Sequence, residues 1–425
     1  MQIFCKNNFP VSAIKLIRKY CASVMKEDLS ISNFKFPTDD FTNVSPKILS
    51  LVGKNLHNKD FHPLCLMKKR IMQYFYVAYK GRTGKPIFSI FDDLHPMVTV
   101  EQNFDSLLIP EDHVSRKKSD CFYFNKNYML RAHMTAHQVE LIKMGLDNFL
   151  MFGDVYRRDE IDSTHYPVFH QCDAVRLFHK EQLFDLIQTE VFERNPSSEN
   201  KLKQKEHTVV ASREIEQQLK VTLEGLARCI FGNDIECRWV DAYFPFTHPS
   251  WELEIKRNGN WLEVLGCGII RQAILQQAGA DDLLGWAFGL GLDRLAMIQY
   301  SIPDIRTFWM KDPGFLIQFH NKSPQDKVTY KEVSIYPPCK NDISFWINDG
   351  FEDNNFYSLV REVGGDLIEQ VQLIDKFTHP KTGRKSRCYT IVYRHLEKTL
   401  TQAEVNEVHK EIEKTAEKVL GVTIR

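Results

Sequence analysis

Residues 251–265 spell out an antiparallel hairpin. Trp251, Leu253 and Ile255 alternate with polar residues up to Asn258-Gly259, and Trp261, Leu262, Val264 and Leu265 follow. Asn-Gly between two such runs is a strong hairpin signal, because both central turn residues need positive φ. Neighbouring antiparallel strands argue against a βαβ array. From about 85 to 300, strands and helices mix and β-branched and aromatic runs dominate, so the class expected is α+β.

Helices are predicted over about 63–80, from Pro63 to Gly81, and over about 208–231, ending at Gly232. A loop with Gly81, Gly84 and Pro86 follows the first, and a polar, lysine-rich surface loop over 196–208 precedes the second. After residue 300 the pattern changes. Pro303, Pro313 and Pro324 punctuate a connector, 303–330. Then come strand (331–347, broken at Pro337-Pro338), helix (353–363), two strands (367–377 and 386–396), helix (401–420) and a last strand at 422–425. Thr401 and Glu404 form a capping box, Val405, Val408, Ile412 and Val419 an apolar stripe, and Gly421 a stop. The order βαββαβ is the ferredoxin-like split arrangement.

A chain of 425 residues implies two or three domains. No apolar run approaches the roughly 18 residues that span a bilayer, so no membrane partner is expected. With 55 basic and 55 acidic residues, any nucleic-acid binding must come from local patches. The ten Cys are scattered without a CxxC pair and read as reduced thiols. Lys6, Lys15, Arg18, Lys19 and Lys26 all precede the first acid, Glu27, while Val11, Ile14, Leu16, Ile17 and Tyr20 share a helical face. Residues 1–30 fit a mitochondrial transit peptide, or otherwise a basic N-terminal helix.

Four segments could carry chemistry. In Gly289-Leu290-Gly291-Leu292-Asp293-Arg294 an apolar strand meets two glycines and a helix over 292–300, with Arg294 in its first turn. Such a helix start favours anions, and its Arg can grip phosphate. The plain alternative is a glycine turn with a surface Arg. The second runs from Gly153 to Asp159 and from Val168 to Asp173, two strands joined by a loop with His165. Arg157 and Arg158 alternate faces, so one can enter a cleft while the other is solvated; Asp159 shares the face of Arg157, and Phe169 could stack on a purine. Read alone, a surface hairpin with exposed charges fits better. The third, Tyr243 to Ser250, sets Phe244 and Phe246 on one face of an extended segment, suited to an aromatic ligand or to a core. The fourth, Leu130 to Gln138, offers polar groups at a strand-to-helix junction; it has two His four apart but no HEXXH and no third metal ligand.

In this order the segments resemble class II aminoacyl-tRNA synthetases, specifically the single-chain mitochondrial phenylalanyl-tRNA synthetases, over about residues 60–425. Asn103 to Pro110 looks like the first class II motif, Arg157 sits where the second has its Arg, Arg294 where the third has its own, and Phe244-Pro245-Phe246-Thr247 looks like the phenylalanine-pocket signature. The resemblance implies an antiparallel sheet flanked by helices over 31–302, a linker at 303–330 and a ferredoxin-fold anticodon-binding domain over 331–425. It implies that Arg157 holds the α-phosphate of ATP and Arg294 the γ-phosphate, with Phe169 on the adenine and Asp159 and His165 nearby. The polar end of phenylalanine would meet His133, Thr135, Gln138, Gln171 and Asp173; Phe244 and Phe246 would face its ring, and Ala287 would line the para position. Glu263 is the candidate Mg²⁺ contact. Asp173 and Asp159 stand where the family usually has Glu, Thr135 where bacterial members have Ser, and Val114 where the run after the first motif has Pro.

The expected reaction is activation of phenylalanine by ATP and transfer to the 2′-OH of the terminal adenosine of tRNA(Phe), in the mitochondrial matrix, by a monomer without a hydrolytic editing domain. For RNA, Lys376, Lys381, Arg384, Lys385, Arg387, Arg394 and Lys398 crowd two strands and their loop, interleaved with His379, Tyr389, Tyr393 and His395. Basic groups with aromatics suit single-stranded loops; the plain alternative is a solvated hairpin. A catalytically inactive paralogue that binds RNA is the rival reading, disfavoured because both arginines are present.

Overall fold

The computed structural model describes residues 29–31, 34–183, 190–196, 198–310, 312–332, 336–395 and 398–425. The transit-peptide expectation falls almost wholly outside them.

Seven of the described strands form one large sheet: β1 (Ser89–Phe91), β2 (Asn148–Tyr156), β3 (Val168–Phe178), β4 (Cys237–Phe244), β5 (Thr247–Arg257), β6 (Asn260–Ile270) and β7 (Leu284–Gly291). Their spatial order is β1-β2-β3-β7-β6-β5-β4, antiparallel except for the β1–β2 pair. The Asn258-Gly259 hairpin forms as read, with φ of 50° and 81°, and joins β5 to β6. Trp251, Leu253 and Ile255 all point into the core.

One face of the sheet is covered by α1 (Pro63–Ala78), α3 (Val209–Phe231) and α4 (Leu292–Tyr300), with Leu150, Cys172, Leu253, Cys267, Trp286 and Phe288 beneath them. Pro63 sits at the start of α1, where a missing N–H costs nothing. The other face carries a smaller core with α2 (Gln138–Lys143) and stays open in its middle, because Gly266, Gly268 and Gly289 occupy neighbouring strands there.

The C-terminal unit is βαββαβ as predicted: β8 (Cys339–Trp346), α5 (Asp353–Gly364), β9 (Ile368–Thr378), β10 (Lys385–Tyr393), α6 (Gln402–Leu420) and β11 (Thr423–Ile424), in sheet order β9-β10-β8-β11. β8 begins only after Pro337-Pro338, since proline lacks the N–H that a ladder needs.

Residues 303–330 are not the free connector expected. Ile305, Phe308, Phe315 and Phe319 are buried in the catalytic core, Trp309 stacks on Tyr166 with ring centres 5.2 Å apart, and His62 bonds the Phe308 carbonyl at 3.0 Å. The prolines suggested punctuation; Pro313 instead starts a short helix whose aromatics fill core space. The C-terminal unit is docked on the catalytic one. Buried Arg361 donates to the carbonyl oxygens of Asp159 (3.3 Å) and Glu160 (2.8 Å), and Arg306 donates to that of Asp366 (3.2 Å). Among the described residues no helix is long and apolar enough to cross a membrane.

Candidate active site

Period-two alternation divides β3 between the two faces. His170, Cys172 and Ala174 lie toward the helices; Phe169, Gln171, Asp173 and Val175 lie on the open face. Gln171, Asp173 and Val175 pair with Gly291, Gly289 and Ala287 of β7. A Cβ on Gly289 would stand 3.0 Å from Asp173 Oδ1, so glycine there leaves room for the carboxylate.

The segment before α2 lies over this face. It turns through a 3-10 helix, Met134–His137, with His133 at its start. Thr135 Oγ1 donates to Asp173 Oδ2 at 2.6 Å, and the Met134 N–H reaches Gln171 Oε1 at 3.3 Å. Asp173 Oδ1 is buried and, among the described residues, has no hydrogen-bond partner. Desolvation raises the Asp173 carboxyl to about 6, against the contributions of Thr135 and Arg157. Burial and the charge of Arg157 push the His133 imidazole down to about 3, so it is neutral; beyond a weak contact with the Asn103 backbone its ring nitrogens are unpartnered. Gln138, also predicted, is buried at the first position of α2.

Phe244 and Phe246 do meet, but not on an extended segment. β4 ends at Phe244, Pro245 and Phe246 form the turn into β5, and the two rings stack at 5.8 Å and 13°. Phe246 also faces His133, ring centres 6.4 Å apart. A Cβ on Gly266 would fall 2.7 Å from Phe244 Cζ, so the bare backbone of β6 is the floor on which that ring lies. Ala287 is buried between Val175 and Gly268 on the same face.

β2 ends at Tyr156, so Arg157 is the first residue beyond the strand rather than within it. Its N–H still bonds the Pro167 carbonyl at 3.1 Å, its Nε donates to Ala132 O at 2.8 Å, and its guanidinium lies 5.3 Å from the centre of the Phe169 ring. Arg158 is not the solvated partner expected: it is half-buried, bonds the Lys118 carbonyl, and burial lowers it to about 10. Asp159 lies in the loop held by Arg361. His165 bonds Asp162 Oδ2 at 2.8 Å; that bond raises its pKa, and the charge of Arg294 opposes the rise. Arg294 is exposed in the first turn of α4, just past Gly291. Both arginines therefore flank the end of the sheet where Gln171 pairs with Gly291.

Glu263 is exposed and lies across from Glu254 where β5 and β6 pair. Arg238 binds Glu254 at 2.5 Å, whereas among the described residues Glu252 and Glu263 have no such cation, and desolvation with the nearby Glu263 and Glu254 charges raises Glu252. Carboxylates that repel one another fit a hard divalent cation.

Three supporting residues were given no contact of their own in the sequence reading. Asn103 Oδ1 accepts from the Ala132 N–H at 3.0 Å and so sets His133. Arg131, fully buried, donates to the Asp154 and Leu94 carbonyls at 2.7 and 2.8 Å. Glu252 is one of two alternating acids on β5, with Glu254, and alternation alone does not say which face meets ligand.

On the C-terminal domain the basic set divides. Lys381, Arg384 and Lys385 are exposed around the β9–β10 turn, where Arg384 lies 4.8 Å from the centre of the Trp346 ring. Lys376 lines a polar cleft between the two domains, with Asp162, Glu352 and Tyr357. Arg394 is paired with Glu369 at 2.6 Å and Arg387 lies 3.6 Å from Asp353. Tyr389 and Tyr393 are fully buried, so neither is available to a base.

The model for "tRNA synthetases class II core domain (F)" matches residues 49–195 and 189–319, and that for "Ferredoxin-fold anticodon binding domain" matches 334–425. The chain is 54% identical to "Probable phenylalanine--tRNA ligase, mitochondrial" of Drosophila melanogaster, with 93% of this chain and 92% of that protein covered. It is 53% identical to "Phenylalanine--tRNA ligase, mitochondrial" of Mus musculus, over 93% and 88%. With "Phenylalanine--tRNA ligase, chloroplastic/mitochondrial" of Arabidopsis thaliana the identity is 47%, over 91% and 83%.

Proposed function

The chain belongs to the phenylalanine–tRNA ligase family of class II aminoacyl-tRNA synthetases, and from that premise we propose which of its groups carry each step. It joins phenylalanine to its transfer RNA, with ATP converted to AMP and diphosphate.

The observation that carries the assignment is Asp173: a buried carboxylate with one oxygen held by Thr135 and the other free. A buried unpaired charge is costly, and an ammonium group is the partner that offsets it. The α-ammonium of phenylalanine binds there. Gln171, Gln138 and the neutral His133 hold the rest of its polar end. The side chain lies against the stacked Phe244 and Phe246 over the Gly266 floor, with Ala287 at the para end.

The substrate carboxylate attacks the α-phosphorus of ATP, and diphosphate leaves with the electron pair of the broken P–O bond. Arg157 neutralises the α-phosphate and Phe169 stacks on adenine. Arg294 takes the γ-phosphate, with His165 and Asp159 beside the nucleotide. Little proton transfer is needed, so positioning and charge neutralisation do most of the catalysis. The family takes ATP as substrate, generally with Mg²⁺, which when bound supplies charge neutralisation along the triphosphate. Glu263 and Glu252 would hold it. In the second step the 2′-OH of the terminal adenosine attacks the adenylate carbonyl and AMP leaves.

The tRNA is gripped through Lys381, Arg384 and Lys385, with exposed Lys376 at the rim of the interdomain cleft beside them. The mitochondrial relatives support a mitochondrial location, and we assign the matrix and a monomer. Diphosphate exchange driven separately by each of the twenty amino acids tests the reading. Exchange with phenylalanine alone, lost in Arg157→Ala and Arg294→Ala, is expected; no exchange at all would support an inactive RNA-binding paralogue.

A further inference from the structure

On the helix side of the sheet, three side chains from three separate elements aim their unused atoms at one another. His57 stands in the short turn Leu56–Asn58, Asp154 in β2 and His170 in β3. They are 0%, 1% and 0% exposed. One ligand atom from each lies within 4.8 Å of the other two, and His57 Nδ1 is 3.7 Å from Asp154 Oδ1. Among the described residues His57 Nδ1, Asp154 Oδ1 and His170 Nε2 have no hydrogen-bond partner.

The outer atom of each group is already engaged, and this decides where the protons sit. His57 Nε2 faces the Asp92 carbonyl at 3.2 Å; a carbonyl only accepts, so Nε2 carries the hydrogen and Nδ1 presents a lone pair. His170 Nδ1 faces the Asp293 carboxylate at 3.1 Å, which in the neutral ring leaves the lone pair at Nε2. Tyr156 donates to Asp154 Oδ2 at 3.2 Å, leaving Oδ1 free. With His170 neutral, three electron-pair donors converge with no hydrogen among them; burial opposes a proton on His170 while the Asp293 and Asp154 charges favour one, and a bound cation would take that proton's place. One water brings two hydrogens to three acceptors and leaves one unsatisfied. The two buried cations nearby are committed elsewhere: Lys68 to Asp92 and Asn58, and Arg131 to backbone carbonyls and His137.

We propose that His57, Asp154 and His170 form a binding site for a divalent metal ion of the zinc class. Two imidazoles and a carboxylate select a borderline metal over Mg²⁺ or Ca²⁺, which take oxygen ligands. The carbonyl behind His57 and the carboxylate behind His170 are the outer partners that orient metal-bound imidazoles. The role is structural. His170 lies between Phe169 and Gln171, Asp293 precedes Arg294, and β2 runs on into Arg157. A bound ion would therefore tie β2 and β3 together from beneath and, through Asp293, the start of α4, the elements that carry the groups we assign to the nucleotide.

The test uses the full chain, expressed in zinc-supplemented medium, with any tag removed and the protein passed through chelator-treated buffer. Elemental analysis should find about one zinc per chain, and His57→Gln and Asp154→Asn should each lower it by roughly tenfold or more. Should these variants not fold, wild-type protein refolded with cobalt(II) gives the same answer through the visible bands of a tetrahedral N/O site. Metal-free wild-type protein whose melting temperature is unchanged by zinc during refolding would overturn the proposal. So would NMR evidence that His170 Nε2 carries a proton, which would then be the charge that satisfies the trio.

Discussion

Thr135 donates its hydroxyl hydrogen to Asp173 Oδ2 at 2.6 Å and leaves the second oxygen of that buried carboxylate bare. The pair fixes the orientation of the acid while holding half of it in reserve. A pH dependence follows. Desolvation raises Asp173 from 3.8 to about 6, and the charged form is the one that holds an ammonium group. kcat/KM for phenylalanine, measured by diphosphate exchange at saturating ATP, should fall as pH drops through about 6. Thr135→Ala removes a bond that favours the charged form and should move that limb to higher pH.

Asp173→Asn should separate stability from activity. The folded-state pKa lies above the unfolded one, so this group's contribution to stability is full below the unfolded pKa of 3.8 and is lost as pH rises through about 6. Asn carries no such cost. The free enzyme at about pH 8 should gain up to about 3 kcal/mol, read from urea denaturation. The same variant should lose about 2–5 kcal/mol of phenylalanine activation, roughly 30- to 4,000-fold in kcat/KM.

Gly266→Ala should act on the amino-acid side alone. The new Cβ would stand 2.7 Å from Phe244 Cζ and lift that ring from its floor. Overpacking of this kind costs about 1–3 kcal/mol. The KM for phenylalanine should rise by roughly tenfold while the KM for ATP is unchanged.

The two classes of arginine on the C-terminal domain should differ. Neutralising Lys381, Arg384 and Lys385 together should weaken tRNA binding and flatten its salt dependence, with amino-acid activation intact. Arg394→Ala breaks the 2.6 Å pair with Glu369 and should lower the domain's melting temperature instead.

Arg361→Ala should loosen the docking of the two domains. Its guanidinium is buried and holds the Asp159 and Glu160 carbonyls. Faster hydrogen exchange over 157–167 and 353–373 is expected, and unchanged protection there would show that the contact carries no weight.

Local rules carried much of the fold. Asn258-Gly259 specified its hairpin because few residue pairs tolerate two positive φ values, and Thr401 with Glu404 specified a helix start because both halves of the capping box are local. The helix start that carries Arg294 was legible from the two glycines before it. Less legible were the aromatics. Tyr389 and Tyr393, among basic residues, look like a base-stacking surface, yet both are in the core, because the face a strand buries depends on what packs on it. The same holds for 303–330, where the prolines spoke of a connector and Phe308, Phe315 and Phe319 supplied core.

The amino-acid sequence by itself determined the mainly antiparallel character of the sheet and the βαββαβ order, since these follow from turn chemistry and periodicity. Tertiary structure alone decided that Phe244 lies on Gly266, that Arg361 holds the loop after Arg157, and that His57, Asp154 and His170 share one buried point. Those contacts join residues far apart in the chain, and whether a side chain is paired, bare or desolvated is set by the neighbours that folding brings to it.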